Sequence, residues 1–148
     1  MIKMPLWLIF HPDGTFEDDA SKEALAKDIT ANYVKAGLPA FYATVNFIKM
    51  SGNTMYVGGK VPPKNKPFIR ISVDHIAVKQ PDQDSAYEQS ANRLVALLKP
   101  HIADKGYDWE FHVDETERRY WRINGMAPPP FKSEEEKIWV KENRAVHY

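Results

Sequence analysis

The sequence predicts an α+β fold, a two-layer sandwich in which two tandem β-α-β units form one four-stranded sheet with both helices on one face. Two observations predict it. An apolar run, an amphipathic stretch and an alternating run follow one another, and the same order returns about sixty residues later, after a linker rich in proline and glycine. The other face of such a sheet needs cover, which predicts oligomerisation.

The first unit is predicted over residues 4–60. Residues 5–10 are apolar on both faces, as in a central strand, and residues 41–50 alternate as a second strand. Between them, residues 21–36 carry an apolar stripe at helical spacing: Leu25, Ile29 and Tyr33. The connection is long enough for a right-handed crossover between parallel strands. Residues 55–57 are predicted as a further short strand.

The second unit is predicted over residues 67–114. Residues 68–73 are β-branched and strand-like, and residues 109–113 alternate as the last strand. A helical stripe lies between them: Ala91, Leu94, Val95 and Leu98. A ferredoxin-like domain also contains two β-α-β units, with a different strand order and no need for a trimer, so this pattern alone leaves both folds open.

The C-terminal part, residues 115–148, completes a single domain spanning residues 1–148. Asp114 and Glu117 have the spacing of a helix cap and its partner, which predicts a short helix over 115–123 that ends at Asn124-Gly125. Ser133 and three glutamates predict a second helix over 133–139. Residues 141–148 are interpreted as an arm.

Composition indicates one ordinary globular domain and excludes several functions. The chain has 148 residues, of which 43% are apolar and 27% charged. Its 20 basic and 20 acidic side chains balance, so no overall field draws it to nucleic acid or an anionic membrane. The absence of cysteine excludes disulfides and thiolate catalysis. Neither a membrane span nor a signal peptide pattern is present, and a cytoplasmic location is expected.

Pro5 is the residue with the most distinctive chemistry. As a free N-terminus it would be a secondary amine with a pKa near about 7.7–8.0, or lower when buried. Within a chain it is a tertiary amide with no basicity, and it is then simply a proline at the start of a strand. Aminopeptidases remove an initiator methionine when the next residue is small. Ile2 is not small, so Met1 is expected to persist. If translation began at Met4, that methionine would be removed and Pro5 would become the N-terminus. Translation from Met4 is the leading hypothesis, and proteolytic trimming and loss of proline chemistry stay open as alternatives.

The order and spacing of these segments resemble the tautomerase superfamily, and within it the cis-3-chloroacrylic acid dehalogenase-like group. The resemblance covers residues 5–130 and rests on Pro5, residues 26–30, 45–47 and 58–59, Trp109 and Pro128. The chain also resembles the fungal branch of that group, at residues 10–12, 37–42, 74–76, 124–125 and 141–144. It implies the tautomerase fold, a homotrimer, and an N-terminal proline that moves a proton or activates water on an unsaturated or enolisable carboxylate. No metal or other cofactor is expected.

The dehalogenase site matches poorly when it is carried over residue by residue. The helix histidine of the dehalogenase falls on Tyr33, and its strand tyrosine falls on Phe111. The first of its two arginines falls near His75, and the second near Val78 or Lys79. Its water-activating glutamate falls near Arg122. Dehalogenation by that recipe is not expected, because no acidic residue stands where water would be activated.

A different set of site residues is predicted instead. Pro5 would be the base, Tyr33 would donate to an enolate oxygen, and three cationic or hydrogen-bonding groups would hold the substrate carboxylate: His75, Arg70 and Arg122. Trp121 lies beside Arg122 and would line the pocket or a subunit contact. Each of these side chains also has a purely structural interpretation: Tyr33 in the core, Arg70 and Arg122 on solvated surfaces, and His75 as a hydrogen-bonding residue at a strand end.

Three functions are consistent with these residues. The leading hypothesis is an isomerase or hydratase for a small unsaturated or 2-keto carboxylate. A catalytically inactive trimer with a blocked Pro5 would use the same cleft to bind a small anion or a protein partner. A biosynthetic isomerase for a larger metabolite would need an apolar pocket, lined by Trp7, Phe111 and Trp121.

Overall fold

A computed structural model describes residues 5–76 and 80–148 of the chain. Four strands and three α-helices follow in the order β1 (Pro5–Pro12), α1 (Asp19–Val34), β2 (Thr44–Met50), β3 (Phe68–His75), α2 (Asp84–Leu98), β4 (Asp108–Glu115) and α3 (Glu134–Glu142). Short 3₁₀ turns lie between them, at Ala40–Tyr42, Lys99–His101, Ala103–Lys105 and Arg118–Tyr120.

The strands form one sheet in the order β2-β1-β3-β4, which confirms the predicted fold class. β1 is parallel to β2, β3 is parallel to β4, and β1 and β3 are antiparallel in the centre. The two strands of each β-α-β unit are therefore direct neighbours. In a split arrangement another strand would separate them, so the ferredoxin-like alternative does not apply.

The core lies between one face of the sheet and the helices. Alternate residues of β1 and β3 point into it, since side chains on a strand alternate between the two faces. The fully buried side chains on this face of the sheet and on α1 include Trp7, Ile9, Ile69, Ile71, Val73, Leu25, Ile29 and Tyr33. α1 begins after Asp18, whose carboxylate accepts a hydrogen bond from the Ser21 amide at 2.7 Å, and it stops before Gly37 at φ +90°.

Two predicted elements near the first unit are different in the structure. Residues 55–57 do not form a strand, and a single bridge pairs Val57 with Lys60 around two glycines with positive φ. Phe41 and Tyr42 lie in a 3₁₀ turn before β2 rather than in the strand. The Tyr42 ring is fully buried, so a core contact outweighs the alternating pattern at this position.

The helix predicted over residues 115–123 is wrong. β4 continues to Glu115 because that residue pairs with His75, and only a 3₁₀ turn follows, capped by the Glu117 side chain. Asn124 and Gly125 have φ of +50° and +80°, and they form the two-residue turn of a hairpin that pairs Ile123 with Met126.

The second predicted C-terminal helix is confirmed as α3. Ser133 caps it by accepting from the Glu136 amide at 3.1 Å, and Glu136 reaches back to accept from the Lys132 amide at 2.6 Å. Trp139 is fully buried and donates to the Val146 carbonyl at 2.7 Å. It packs on the rings of Phe41 and Tyr42, so α3 covers the first β-α-β unit.

No described element covers the outer face of the sheet in this chain. Leu6, Leu8 and Phe10 on β1 point to this face and are half-buried, and Arg70 and His112 lie beside them on β3 and β4. Within the described residues, no helix has the length and apolar character needed to cross a membrane.

Candidate active site

One row of residues crosses three strands at the edge of the sheet where β1 begins. Pro5, the first residue of β1, pairs with His75, the last residue of β3, and His75 pairs with Glu115, the last residue of β4. Residues paired in this way point to the same face, here the face under the helices. Neighbouring strands are about 4.8 Å apart, so the Cα atoms of Pro5 and Glu115 lie about 10 Å apart with His75 between them.

Tyr33, at the end of α1, connects this row to the core. Its hydroxyl oxygen accepts from the Trp7 indole N–H at 3.1 Å and lies 3.0 Å from His75 Nε2. Burial raises the pKa of Tyr33 well above its ordinary value, which keeps the hydroxyl protonated. A buried hydroxyl proton needs an acceptor, and His75 Nε2 supplies one. This arrangement places the proton of a neutral His75 on Nδ1.

A cavity of about 240 Å³ opens beside this row, between the end of α1, α2 and the ends of β3 and β4. Its lining is mostly apolar and includes Tyr33, His75, Tyr87, Leu94, Phe111 and Glu115. The backbone N–H of Gln80 donates to both carboxylate oxygens of Glu115, at 3.0 and 3.3 Å. Imidazole, phenol and carboxylate groups therefore meet at one end of an apolar space, as in many small-molecule sites.

Comparison with known proteins identifies the family of the chain. The model of the Tautomerase_3 family, described as "Putative oxalocrotonate tautomerase enzyme", matches residues 4–144. The chain belongs to this family. No curated protein matches the chain in a sequence search.

Solved structures extend the comparison. This Tautomerase_3 chain is similar to "a probable enzyme from the thermophilic fungus Aspergillus fumigatus", with 41% identity, 100% of both chains covered and a TM-score of 0.89. It is also similar to native RhCC from Rhodococcus jostii RHA1, with 43% identity, 96% of this chain and 99% of that chain covered, and a TM-score of 0.87. N1, a member of the cis-3-chloroacrylic acid dehalogenase family, shares the fold at 18% identity, with 93% of this chain and 96% of that chain covered and a TM-score of 0.62.

The structure of this Tautomerase_3 chain brings some of the predicted site residues together. Pro5, Tyr33 and His75 lie at the same edge of the sheet, and Phe111 forms part of the cavity wall, where it stacks against Trp109 with ring centroids 6.0 Å apart. Residues 1–4, and the position of Val78 or Lys79, lie outside the described residues.

The other predicted residues lie elsewhere. Arg70 is on the outer face of the sheet, with one guanidinium nitrogen 2.6 Å from His112 Nδ1. Arg122 donates to the backbone carbonyls of Arg119 and Trp121. Trp121 is buried and packs edge-on against Tyr42, with centroids 5.0 Å apart. The cavity in this chain is formed without these three side chains.

Sequence reasoning missed two charged residues of the cavity, Glu115 and Arg93. The capping pattern places Glu115 in a helix, whereas its position at the end of an alternating run indicates a strand end, which is where the structure has it. Arg93 stands one position before Leu94 in the apolar stripe of α2, and nothing in the local pattern distinguishes it from a solvated residue. Across residues 5–76 and 80–148, no group of three or more histidine and acidic side chains is arranged to hold a metal ion.

Proposed function

We propose that this chain is a tautomerase-superfamily isomerase in which the nitrogen of Pro5, as a free N-terminus, acts as the base. The observation that carries the proposal is the pairing of Pro5 with His75, which lines the cavity and contacts Tyr33. Pro5 is buried, and burial favours the neutral form of an amine, so its nitrogen would be able to accept a proton near neutral pH.

The reaction we propose is a proton transfer between two positions of an enolisable substrate. The Pro5 nitrogen would take a proton from the carbon next to a carbonyl or double bond and return it at another carbon or oxygen. Negative charge then develops on an oxygen of the substrate, and hydrogen-bond donors placed in advance stabilise it. We assign this role to His75 Nδ1–H, while Tyr33 holds the ring through Nε2.

The volume of the cavity favours a small substrate. Its volume of about 240 Å³ lies below the range of about 300–1,000 Å³ that holds drug-sized ligands. We therefore propose a small unsaturated or 2-keto carboxylate. The hypothesis of a larger metabolite receives no support from the packing, because Trp7 and Trp121 are buried in the core rather than along a large pocket.

Hydration of a double bond is a second candidate, and Glu115 favours it. A carboxylate that lies in the row with Pro5 and His75 is able to activate a water molecule by accepting its proton. Glu115 does not stand at the position matched to the glutamate of the cis-3-chloroacrylic acid dehalogenase, where Arg122 falls, so we do not propose dehalogenation by the arrangement of that enzyme.

We also propose that the chain forms a homotrimer. The half-buried Leu6, Leu8 and Phe10 form an apolar stripe on the outer face, and burial against further subunits would remove it from water. Native mass spectrometry at micromolar concentration tests this proposal, and a monomer at all concentrations would contradict it.

A comparison of three proteins tests the catalytic proposal. Ketonisation of phenylenolpyruvate is measured for the chain that begins at Met1, for a protein that begins at Pro5, and for that protein with Pro5→Ala. We expect the second to be at least about a hundredfold faster than the other two, because only it has a secondary amine. Equal and negligible rates in all three would reject the proposal and favour the inactive binding protein.

The form of the protein made in its own host decides whether this chemistry is used there. Intact mass analysis of native protein distinguishes a chain that starts at Met1 from one that starts at Pro5. A species that starts at Pro5 is the expected result. A species that starts at Met1, with none that starts at Pro5, would contradict use of proline chemistry in the cell.

A further inference from the structure

The cavity has an uneven distribution of charge. Its anionic group, Glu115, lies at the edge of the sheet, and its guanidinium group, Arg93, belongs to α2. The first half of α2 lies beside Glu115, because Gln80 donates its backbone N–H to Glu115 and its side-chain amide to the Ala86 carbonyl and the Ser90 hydroxyl. Arg93 follows Ala86 by seven residues and Ser90 by three, so its Cα lies about 4.5–10 Å further along the helix than the residues held beside Glu115. The two charges therefore belong to different parts of the cavity wall.

Arg93 differs from the other arginines of the described chain in its contacts. Five arginines in residues 5–76 and 80–148 have hydrogen-bond or ion-pair partners: Arg70, Arg118, Arg119, Arg122 and Arg144. Arg93 has none within the same residues, although its side chain lines the cavity. Its guanidinium donors are thus available to a ligand that carries oxygen acceptors.

We infer that Arg93 holds the carboxylate of the substrate, and that Glu115 fixes the direction in which the substrate binds. A guanidinium group matches a carboxylate with two parallel hydrogen bonds. A carboxylate placed at the Glu115 end would instead meet a like charge, which is unfavourable. The bound molecule therefore lies with its carboxylate towards α2 and its enolisable carbon towards Pro5 and His75.

The apolar walls define the rest of the ligand. Ala91, Leu94, Phe111 and Val113 line the cavity along α2 and β4, where they would contact an aliphatic or aromatic group. The preferred ligand is a monocarboxylate with an apolar body. A second carboxylate at the reacting end would be disfavoured by Glu115. The identity of the reacting end rests on the proposed function, whereas binding of the carboxylate at Arg93 does not require any reaction.

Binding of an unreactive probe tests this inference separately from catalysis. 3-Phenylpropanoate has the carboxylate and the apolar body but no enolisable carbonyl. Its Kd is measured by NMR titration of the Trp7 indole N–H, which contacts Tyr33 at the cavity, both in the 148-residue chain and in the protein that begins at Pro5. We expect Arg93→Ala to weaken binding about five- to tenfold and Arg93→Lys to weaken it less, since lysine keeps the charge but not the paired geometry.

Matched controls give the result its meaning. Arg144→Ala removes an exposed arginine that pairs with Glu142 in the C-terminal segment, outside the cavity. This variant should keep the Kd for 3-phenylpropanoate within about twofold of that of the unmodified protein. Glu115→Gln should tighten binding about two- to threefold, because the repulsion disappears. For the neutral 3-phenylpropanamide, Arg93→Ala and the unmodified protein should bind alike.

An unchanged Kd for 3-phenylpropanoate in Arg93→Ala would overturn the inference, and so would the absence of any binding to the unmodified protein. Both results leave the role of Pro5 untouched, because that role is judged by the ketonisation rates. Conversely, equal and negligible ketonisation rates would reject the catalytic proposal without affecting an anion site at Arg93.

Discussion

The two β-α-β units share one architecture but differ in how tightly their helices pack. On α1, Leu25, Ile29 and Tyr33 are all buried, and α3 adds a second cover through Trp139. On α2, Leu94 and Leu98 are buried towards the end of the helix, and a cavity remains along its middle, from Tyr87 to Leu94. Val113, on the strand beneath, stays 37% exposed. The helix of the first unit packs closely on its strands, whereas a cavity separates the helix of the second unit from its strands. We call the first the closed unit and the second the open unit.

Side-chain size explains this difference. The middle of α2 presents Ser90 and Ala91 to the cavity, and these side chains are too small to fill the space above Val113. The tightly packed unit therefore holds Pro5 and Tyr33 in place, while the looser packing of the second unit leaves the space for a ligand.

The largest expected effect comes from opening the closed unit. Trp139→Ala removes a fully buried indole that contacts Phe41 and Tyr42, and it should lower the free energy of unfolding by about 3–5 kcal/mol. Urea denaturation followed by circular dichroism measures this loss. Ile138→Ala, on the exposed side of α3, should change it by less than about 0.5 kcal/mol. Similar losses in the two variants would show that α3 is not a cover for the first unit.

The second effect concerns the hydroxyl group that joins the two units. Tyr33→Phe leaves the Trp7 N–H without its acceptor and His75 Nε2 without its donor, which should cost about 1–3 kcal/mol of stability. In the protein that begins at Pro5, ketonisation should fall about ten- to a hundredfold because His75 is no longer oriented. Tyr120→Phe, at a tyrosine that is 89% exposed, is the control and should change neither quantity. Full activity in Tyr33→Phe would exclude a positioning role.

The third effect comes from closing the open unit. Ala91→Phe places a ring in the cavity and should weaken binding of 3-phenylpropanoate at least about tenfold, while the free energy of unfolding changes by less than about 1 kcal/mol because space exists for the ring. Ala96→Phe puts the same ring on the exposed side of α2 and should leave binding unchanged. If both variants bind equally well, the ligand does not occupy this cavity.

The smallest effect concerns a buried carboxyl in the closed unit. Burial raises the pKa of Glu136 above its ordinary value of 4.5, so the folded state holds a proton that the unfolded state releases. The free energy of unfolding therefore falls as the pH rises from about 4.5 through the raised pKa. Glu136→Gln keeps an acceptor for the Lys132 N–H but cannot titrate, so it should remove this dependence of the free energy of unfolding on pH.

Denaturation curves between pH 4 and pH 7 measure this effect. The stability of Glu136→Gln relative to the unmodified protein should increase over that range, because only the unmodified protein loses stability as Glu136 releases its proton. Glu134→Gln, at an exposed carboxylate paired with Lys137, should leave the slope in place. A slope that survives in Glu136→Gln would assign the pH dependence to another group.

Much of the fold could be predicted because it depends on local patterns. The strands and helices of both units show the expected periods of two and 3.6, and Ser133 capped the predicted last helix as its sequence indicates. The helix over 115–123 failed because Asp114 and Glu117 satisfy a local capping pattern, whereas pairing with β3 extends the strand to Glu115. Local signals lose to a longer-range partner in such a segment.

The sequence by itself determined the order of the elements and the presence of Pro5 at the start of the first strand, since both follow from neighbouring residues. Only the tertiary structure decided that Pro5, His75 and Glu115 share one row, and that Arg93 rather than Arg70 or Arg122 lines the cavity. Strand register and the gap under α2 arise from packing between distant segments. A change of register by one residue would move every side chain of a strand to the other face.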